Sequence, residues 1–104
     1  MQIQSQFSLK HFNTFGIDAQ ARAFVAVSSI DELRQILQEK AAEKKFILGG
    51  GSNMLLTQDI DALVIHVNLK GKKIVQEDDD FVWVECQAGE NWHEFVLWTL
   101  EQNF

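Results

Sequence analysis

The chain has 104 residues, a hydrophobic fraction of 46%, a charged fraction of 23% and a formal net charge of −6. That length holds one small domain, the acidic balance argues against the basic stripe of a nucleic-acid binder, and no apolar run approaches the roughly 20 residues that span a membrane. The lone cysteine, Cys86, rules out an intrachain disulfide framework, and MQIQSQFSLKHF at the amino terminus lacks the basic and apolar regions of a signal peptide, so a cytoplasmic location is expected.

Phe24–Ser28 (FVAVS) is β-branched and aromatic enough for a short strand. Ser29 and Glu32 have capping-box spacing. Behind them Ile30, Leu33, Ile36, Leu37 and Ala41 recur at helical spacing, which predicts a helix to about residue 43. Phe46, Ile47 and Leu48 then read as a wholly apolar strand, of the kind buried on both faces. Strand, helix and strand make a βαβ unit.

Residues 62–69 alternate, with Leu63, Ile65, Val67 and Leu69 on one face and Val64, His66 and Asn68 on the other. Residues 73–77 and 81–88 read as a hairpin turning at Asp78, Asp79 and Asp80. Asn91 and Glu94 repeat the capping spacing and open a last helix predicted to reach Phe104. Its stripe is Trp92, Phe95, Val96 and Leu100, while Leu97, Trp98 and Phe104 lie outside it. A helix so widely apolar expects partners on more than one side, which points to self-association or to a chain that is a fragment of something larger. The absence of proline is compatible with missing loops.

Three adjacent glycines, Gly49, Gly50 and Gly51, follow the short strand, and Ser52 and Asn53 follow them. Bare backbone can approach an anion closely and present successive N–H groups to it. The familiar cradles do not match. Met54 stands where the dinucleotide fingerprint needs its last glycine, and no lysine follows the glycines as a nucleotide-triphosphate loop requires. Met54 also breaks the nucleophile-elbow pattern around Ser52. On spacing alone the stretch is either a phosphate cradle or a tight turn between core strands.

Four stretches in order carry a resemblance. Gly49–Asn53, flanked by Ile47-Leu48 and Met54-Leu55-Leu56, resembles the Gly-x-Gly-Ser-Asn loop of the UDP-N-acetylenolpyruvoylglucosamine reductase (MurB) family. Asn13-Thr14-Phe15-Gly16-Ile17, Leu69-Lys70-Gly71 and Ala88-Gly89-Glu90-Asn91-Trp92-His93 resemble further segments of that family. The resemblance implies an α+β fold: a small FAD-binding subdomain of the vanillyl-alcohol-oxidase/MurB type, here a βαβ unit followed by a hairpin and a carboxy-terminal helix. It implies FAD as cofactor, with Ile47, Leu48, Gly49, Gly50, Gly51, Ser52, Asn53, Met54 and Leu55 around the pyrophosphate, and Ala88 and Gly89 as further contacts. It implies NADPH as reductant and a UDP-sugar substrate in peptidoglycan synthesis. The family's catalytic residues lie downstream of the matched stretches. No position here is therefore expected to be catalytic, and the chain is expected to be the amino-terminal part of an FAD-binding domain, inactive by itself.

Other residues take plainer readings. His11, His66 and His93 lack metal-ligand spacing with a cysteine or carboxylate, so no metal is expected. Cys86 shares a face with Val82, Val84 and Ala88, which predicts a buried, inert thiol. Glu77–Asp80 read as a solvated turn, Lys70, Lys72 and Lys73 as a strand edge, and Trp92 and Trp98 as packing residues. The rival to the reductase reading is a stand-alone nucleotide-binding or dimerising α+β module without catalysis.

Overall fold

The computed structural model describes residues 1–50, 56 and 58–104. Its elements are β1 (Gln4–Ser8), a short 3-10 turn (Lys10–Phe12), β2 (Gln20–Val27), α1 (Ile30–Glu39), β3 (Lys45–Leu48), β4 (Ile60–Val67), β5 (Lys72–Glu77), β6 (Val82–Cys86) and α2 (Trp92–Glu101). They form an α+β fold with a four-stranded sheet, ordered β1-β2-β4-β3, and a separate two-stranded hairpin, β5-β6.

The alternation in β4 makes it central. Leu63, Ile65, Val67 and Leu69 pack with Val25, Val27 and Ile36 on one face, where α1 lies. On the other face Val64 packs with Leu9, Phe24, Leu48 and Leu56 beneath the amino-terminal segment. β2 and β3 are both parallel to β4, which sits between them. The βαβ unit is present, but its two strands do not pair; β4 is inserted.

That insertion puts β3 on the sheet edge. The expectation of burial on both faces fails for it: Leu48 is buried, whereas Ile47 is 57% exposed, since among the described residues no strand or helix covers this edge. β1 adds antiparallel to β2 at the opposite edge, from Gln4↔Phe24 to Ser8↔Gln20. The polar sequence QSQFS gives no sign of a strand; backbone pairing, not side-chain pattern, recruits it.

The helices start where their caps lie. Ser29 Oγ accepts from the Glu32 N–H (3.1 Å), and the Glu32 carboxylate accepts from the Ser28 N–H (2.8 Å). Asn91 Oδ1 likewise accepts from the Glu94 N–H (3.0 Å). Both helices end early. α1 stops at Glu39, where the Lys45 ammonium instead takes the carbonyls of Ala41 (3.2 Å) and Glu43 (3.0 Å). α2 stops at Glu101, and Phe104 folds back edge-on to Trp98.

The hairpin and α2 project from the sheet. The radius of gyration is 16.3 Å and the extents are 50 × 31 × 17 Å, against a radius of roughly 13 Å for a compact chain of this length. β5 is exposed throughout and α2 has no buried residue. Cys86 is exposed, not buried as its face suggested, because among the described residues no layer packs over the hairpin there. Trp92 is 73% exposed, and Leu97 and Leu100 are exposed with it. Trp98 is half-buried, with the Lys72 ammonium 5.7 Å from its ring centre.

Candidate functional site: the carboxyl ends of β3 and β4

Leu48 pairs with His66 at the end of the parallel pair β3-β4. Leu48 is fully buried, Gly49 is half-buried and Gly50 is exposed, so the backbone climbs out of the core within two residues. Neither glycine has a left-handed φ, and a Cβ built on either would meet no atom of the described residues within 4 Å. The described residues therefore give no steric or conformational reason for glycine at these positions. Gly51, Ser52, Asn53, Met54 and Leu55 lie outside the described residues.

Ala88 and Gly89 reach the same end of β4 by another route. The Gly89 N–H donates to the Leu69 carbonyl (2.8 Å), three residues beyond His66 and so about 10 Å further along the strand direction. Gly89 has an internal reason to be glycine: a Cβ there would stand 2.6 Å from the Leu69 oxygen. Ala88 is exposed. Among the described residues no hydrogen bond links Ala88 or Gly89 with Ile47–Gly50.

Two more of the stretches singled out in the sequence have evident structural work. Asn13 is a buried polar side chain whose Nδ2 donates to the carbonyls of Leu9 (2.7 Å) and Ile17 (3.0 Å) while its Oδ1 accepts from the Ile17 N–H (3.0 Å). It closes a loop in which Gly16 takes a φ of +64° and Phe15 stands exposed. Leu69-Lys70-Gly71 is the partner of the Gly89 stretch. The Lys70 ammonium donates to the Gly89 carbonyl (2.6 Å), and the Gly71 N–H donates to Glu90 Oε1 (2.8 Å).

His66 is a residue whose place the sequence did not reveal. Its ring lies 5.2 Å from Phe12, edge-on, and 6.1 Å from Phe24, near-parallel. Burial against these rings, and secondarily the charge of Lys70, lowers its pKa from 6.5. The imidazole beneath the glycine end is thus held toward its neutral form. Only the pairing of β3 with β4, which a linear reading does not specify, brings it next to Leu48.

Lys73 and the acidic turn fit the plain reading, whereas Lys70 precedes β5 and holds the Gly89 carbonyl, and Lys72 lies over Trp98. Lys73 pairs with Glu85 across the hairpin (3.5 Å) in the open. Asp78 Oδ1 accepts from the N–H groups of Asp80 (2.9 Å) and Phe81 (2.7 Å), which makes the turn. Among the described residues no helix is long and apolar enough to cross a membrane.

Glycines thus follow the end of a parallel strand pair, and a second glycine turn is bonded just beyond it. A family model described as an FAD binding domain matches residues 21–104. The chain belongs to this FAD-binding domain family, whose cofactor is FAD, and its fold is of the vanillyl-alcohol-oxidase/MurB type. Over its full length it is similar to a protein of Flavobacterium johnsoniae named UDP-N-acetylenolpyruvoylglucosamine reductase, with 71% identity over 104 residues. A reductase of the same name from Pseudomonas putida is 46% identical over 106 residues, and one from Neisseria meningitidis is 46% identical over 100 residues, which is 94% of this chain. The chain spans 31% of the Flavobacterium and Pseudomonas relatives and 29% of the Neisseria one.

Proposed function

We propose that this chain is the amino-terminal, FAD-holding part of an NADPH-dependent reductase of UDP-N-acetylenolpyruvoylglucosamine that serves peptidoglycan synthesis in the cytoplasm. The observation that carries the reading is the open glycine pair. Gly49 and Gly50 leave the core at a parallel strand end, and no atom of the described residues lies in the space their missing side chains would take. Ligands of parallel sheets bind outside such carboxyl ends.

In this reading the main chain from Ile47 to Leu55, with the Ser52 and Asn53 side chains, receives the pyrophosphate of FAD. Ala88 and Gly89 line a second wall. When bound, the flavin supplies two-electron transfer between NADPH and substrate. This segment's contribution is to bind and orient it, and the groups that move the substrate's proton belong to other parts of the enzyme. Support comes from the similarity to reductases of that name across the whole chain. The exposed Trp92, Leu97 and Leu100 of α2 make self-association of the isolated segment part of the proposal.

The test is a titration. The purified chain is examined between 300 and 500 nm for bound flavin, and FAD is then added while its fluorescence is followed. Saturable quenching is the expected result. A flat titration, with the protein folded by circular dichroism, overturns the reading. Sedimentation velocity on the same sample reports self-association, and a concentration-independent monomer removes that part.

A further inference from the structure

The chain leaves the sheet at Val67, crosses residues 68–71, makes the hairpin and returns through residues 87–90 over the same crossing before α2 begins. The crossing is tied to the sheet by the Asn68 N–H, which donates to the Val27 carbonyl (2.8 Å). The returning strand is tied to the crossing by four hydrogen bonds. Two are between backbone groups, from the Gln87 N–H to the Gly71 carbonyl (2.9 Å) and from the Gly89 N–H to the Leu69 carbonyl (2.8 Å). Two use side chains, from the Lys70 ammonium to the Gly89 carbonyl (2.6 Å) and from the Gly71 N–H to Glu90 Oε1 (2.8 Å).

Gly71 turns the corner with a φ of +133°, a conformation that only glycine adopts without strain. Its N–H points to the returning strand, and the Glu90 carboxylate accepts it. Glu90 is half-buried while Lys70 is exposed. Both side-chain bonds are charge-assisted and lie in exposed surroundings; the Lys70 ammonium, on an exposed residue, has water as a ready alternative partner, whereas Glu90 as a whole is half-buried.

We infer that Glu90 is a positioning residue for the flavin: its carboxylate, holding the Gly71 N–H, locks the hairpin and α2 to the sheet and so sets where Ala88–Gly89 stand relative to Gly49–Gly50. The inference rests on the FAD reading above. Without the lock, the crossing keeps the two backbone bonds and the Lys70 contact but loses its hold on the Gly71 N–H, and a cofactor touching both sides must supply part of their orientation itself. That ordering cost appears as lost affinity.

Three variants test it by FAD titration, the visible circular dichroism of bound flavin, and amide exchange at Gly71. Glu90→Ala is expected to weaken FAD binding roughly threefold to tenfold, the range for one such hydrogen bond. It should also alter the flavin dichroism and speed exchange at Gly71. Glu90→Gln should restore all three readouts, because its amide oxygen can accept the same N–H. Lys70→Met should change affinity less than Glu90→Ala does. Faster exchange at Gly71 with unchanged flavin affinity and dichroism would overturn the inference and leave Glu90 a local brace. Unchanged exchange would overturn it too. If the unmutated protein takes up no FAD, the FAD reading itself fails, and the inference falls with it.

Discussion

Gly89 lies directly on the backbone of Leu69. Its N–H donates to the Leu69 carbonyl at 2.8 Å, and a Cβ in its place would come within 2.6 Å of that oxygen and closer still to the Leu69 nitrogen. Gly89→Ala must separate two backbone segments, which no side-chain rotation can avoid. The expected loss is about 2 kcal/mol, the scale of overpacking in a well-packed site. Thermal unfolding should fall by roughly 10 °C, since 1 kcal/mol is worth about 4–8 °C in a domain this size. An unchanged melting temperature would contradict this geometry.

Gly49 and Gly50 are the opposite case. Among the described residues nothing lies within 4 Å of either Cβ position, and neither φ is left-handed. Gly49→Ala should leave stability within about 1 kcal/mol, or raise it slightly by restricting the unfolded chain. If these glycines serve the cofactor, Gly50→Val should lower FAD affinity while the melting temperature holds. Equal affinity in both proteins would make the glycines a mere turn.

Asn13 holds three backbone groups of the Leu9–Ile17 loop through one side chain. Asn13→Ala takes this partner from the Ile17 N–H and carbonyl at a position that is 9% exposed, while the Leu9 carbonyl keeps the Phe12 N–H (2.9 Å). The expected cost is about 2 kcal/mol, because orphaned buried polar groups keep their desolvation penalty. Asn13→Asp should not rescue it, since a carboxylate cannot donate to the Leu9 and Ile17 carbonyls. Chemical denaturation of the three proteins separates these outcomes.

His66 makes stability depend on pH. Its folded-state pKa is lowered, first by burial between Phe12 and Phe24 and then by Lys70. The unfolded chain therefore binds this proton more readily than the folded one. The stabilising contribution is full above the ordinary value of 6.5 and is lost as pH falls through that value toward the lowered folded pKa. Melting temperatures should drop between pH 7.5 and 5.5, and His66→Phe should reduce that slope. The same slope in both proteins would assign the pH dependence to other groups.

Much of the local structure was legible. The Ser29 and Asn91 caps, the two-faced alternation of β4 and the acidic hairpin turn are local, because period and capping depend on neighbours a few residues away. The glycine stretch was legible as a choice between a cradle and a turn. The open space around Gly49 and Gly50 now weighs against a turn demanded by packing. The readings that failed, burial of Ile47 and of Cys86, assumed a covering layer that the alternation of a single strand cannot report.

By itself, then, the sequence determined which segments other than β1 become strands and helices, where the helices begin, and which family the chain resembles. The tertiary structure decided that β4 enters between β2 and β3, that a polar segment becomes β1, and that His66 sits beside Leu48. It also decided that Gly89 must be bare for Leu69, and that Glu90 reaches Gly71. Each of these joins residues distant in the chain. Strand order, register and close approach arise only when separate segments compete for the same backbone hydrogen bonds and the same apolar face.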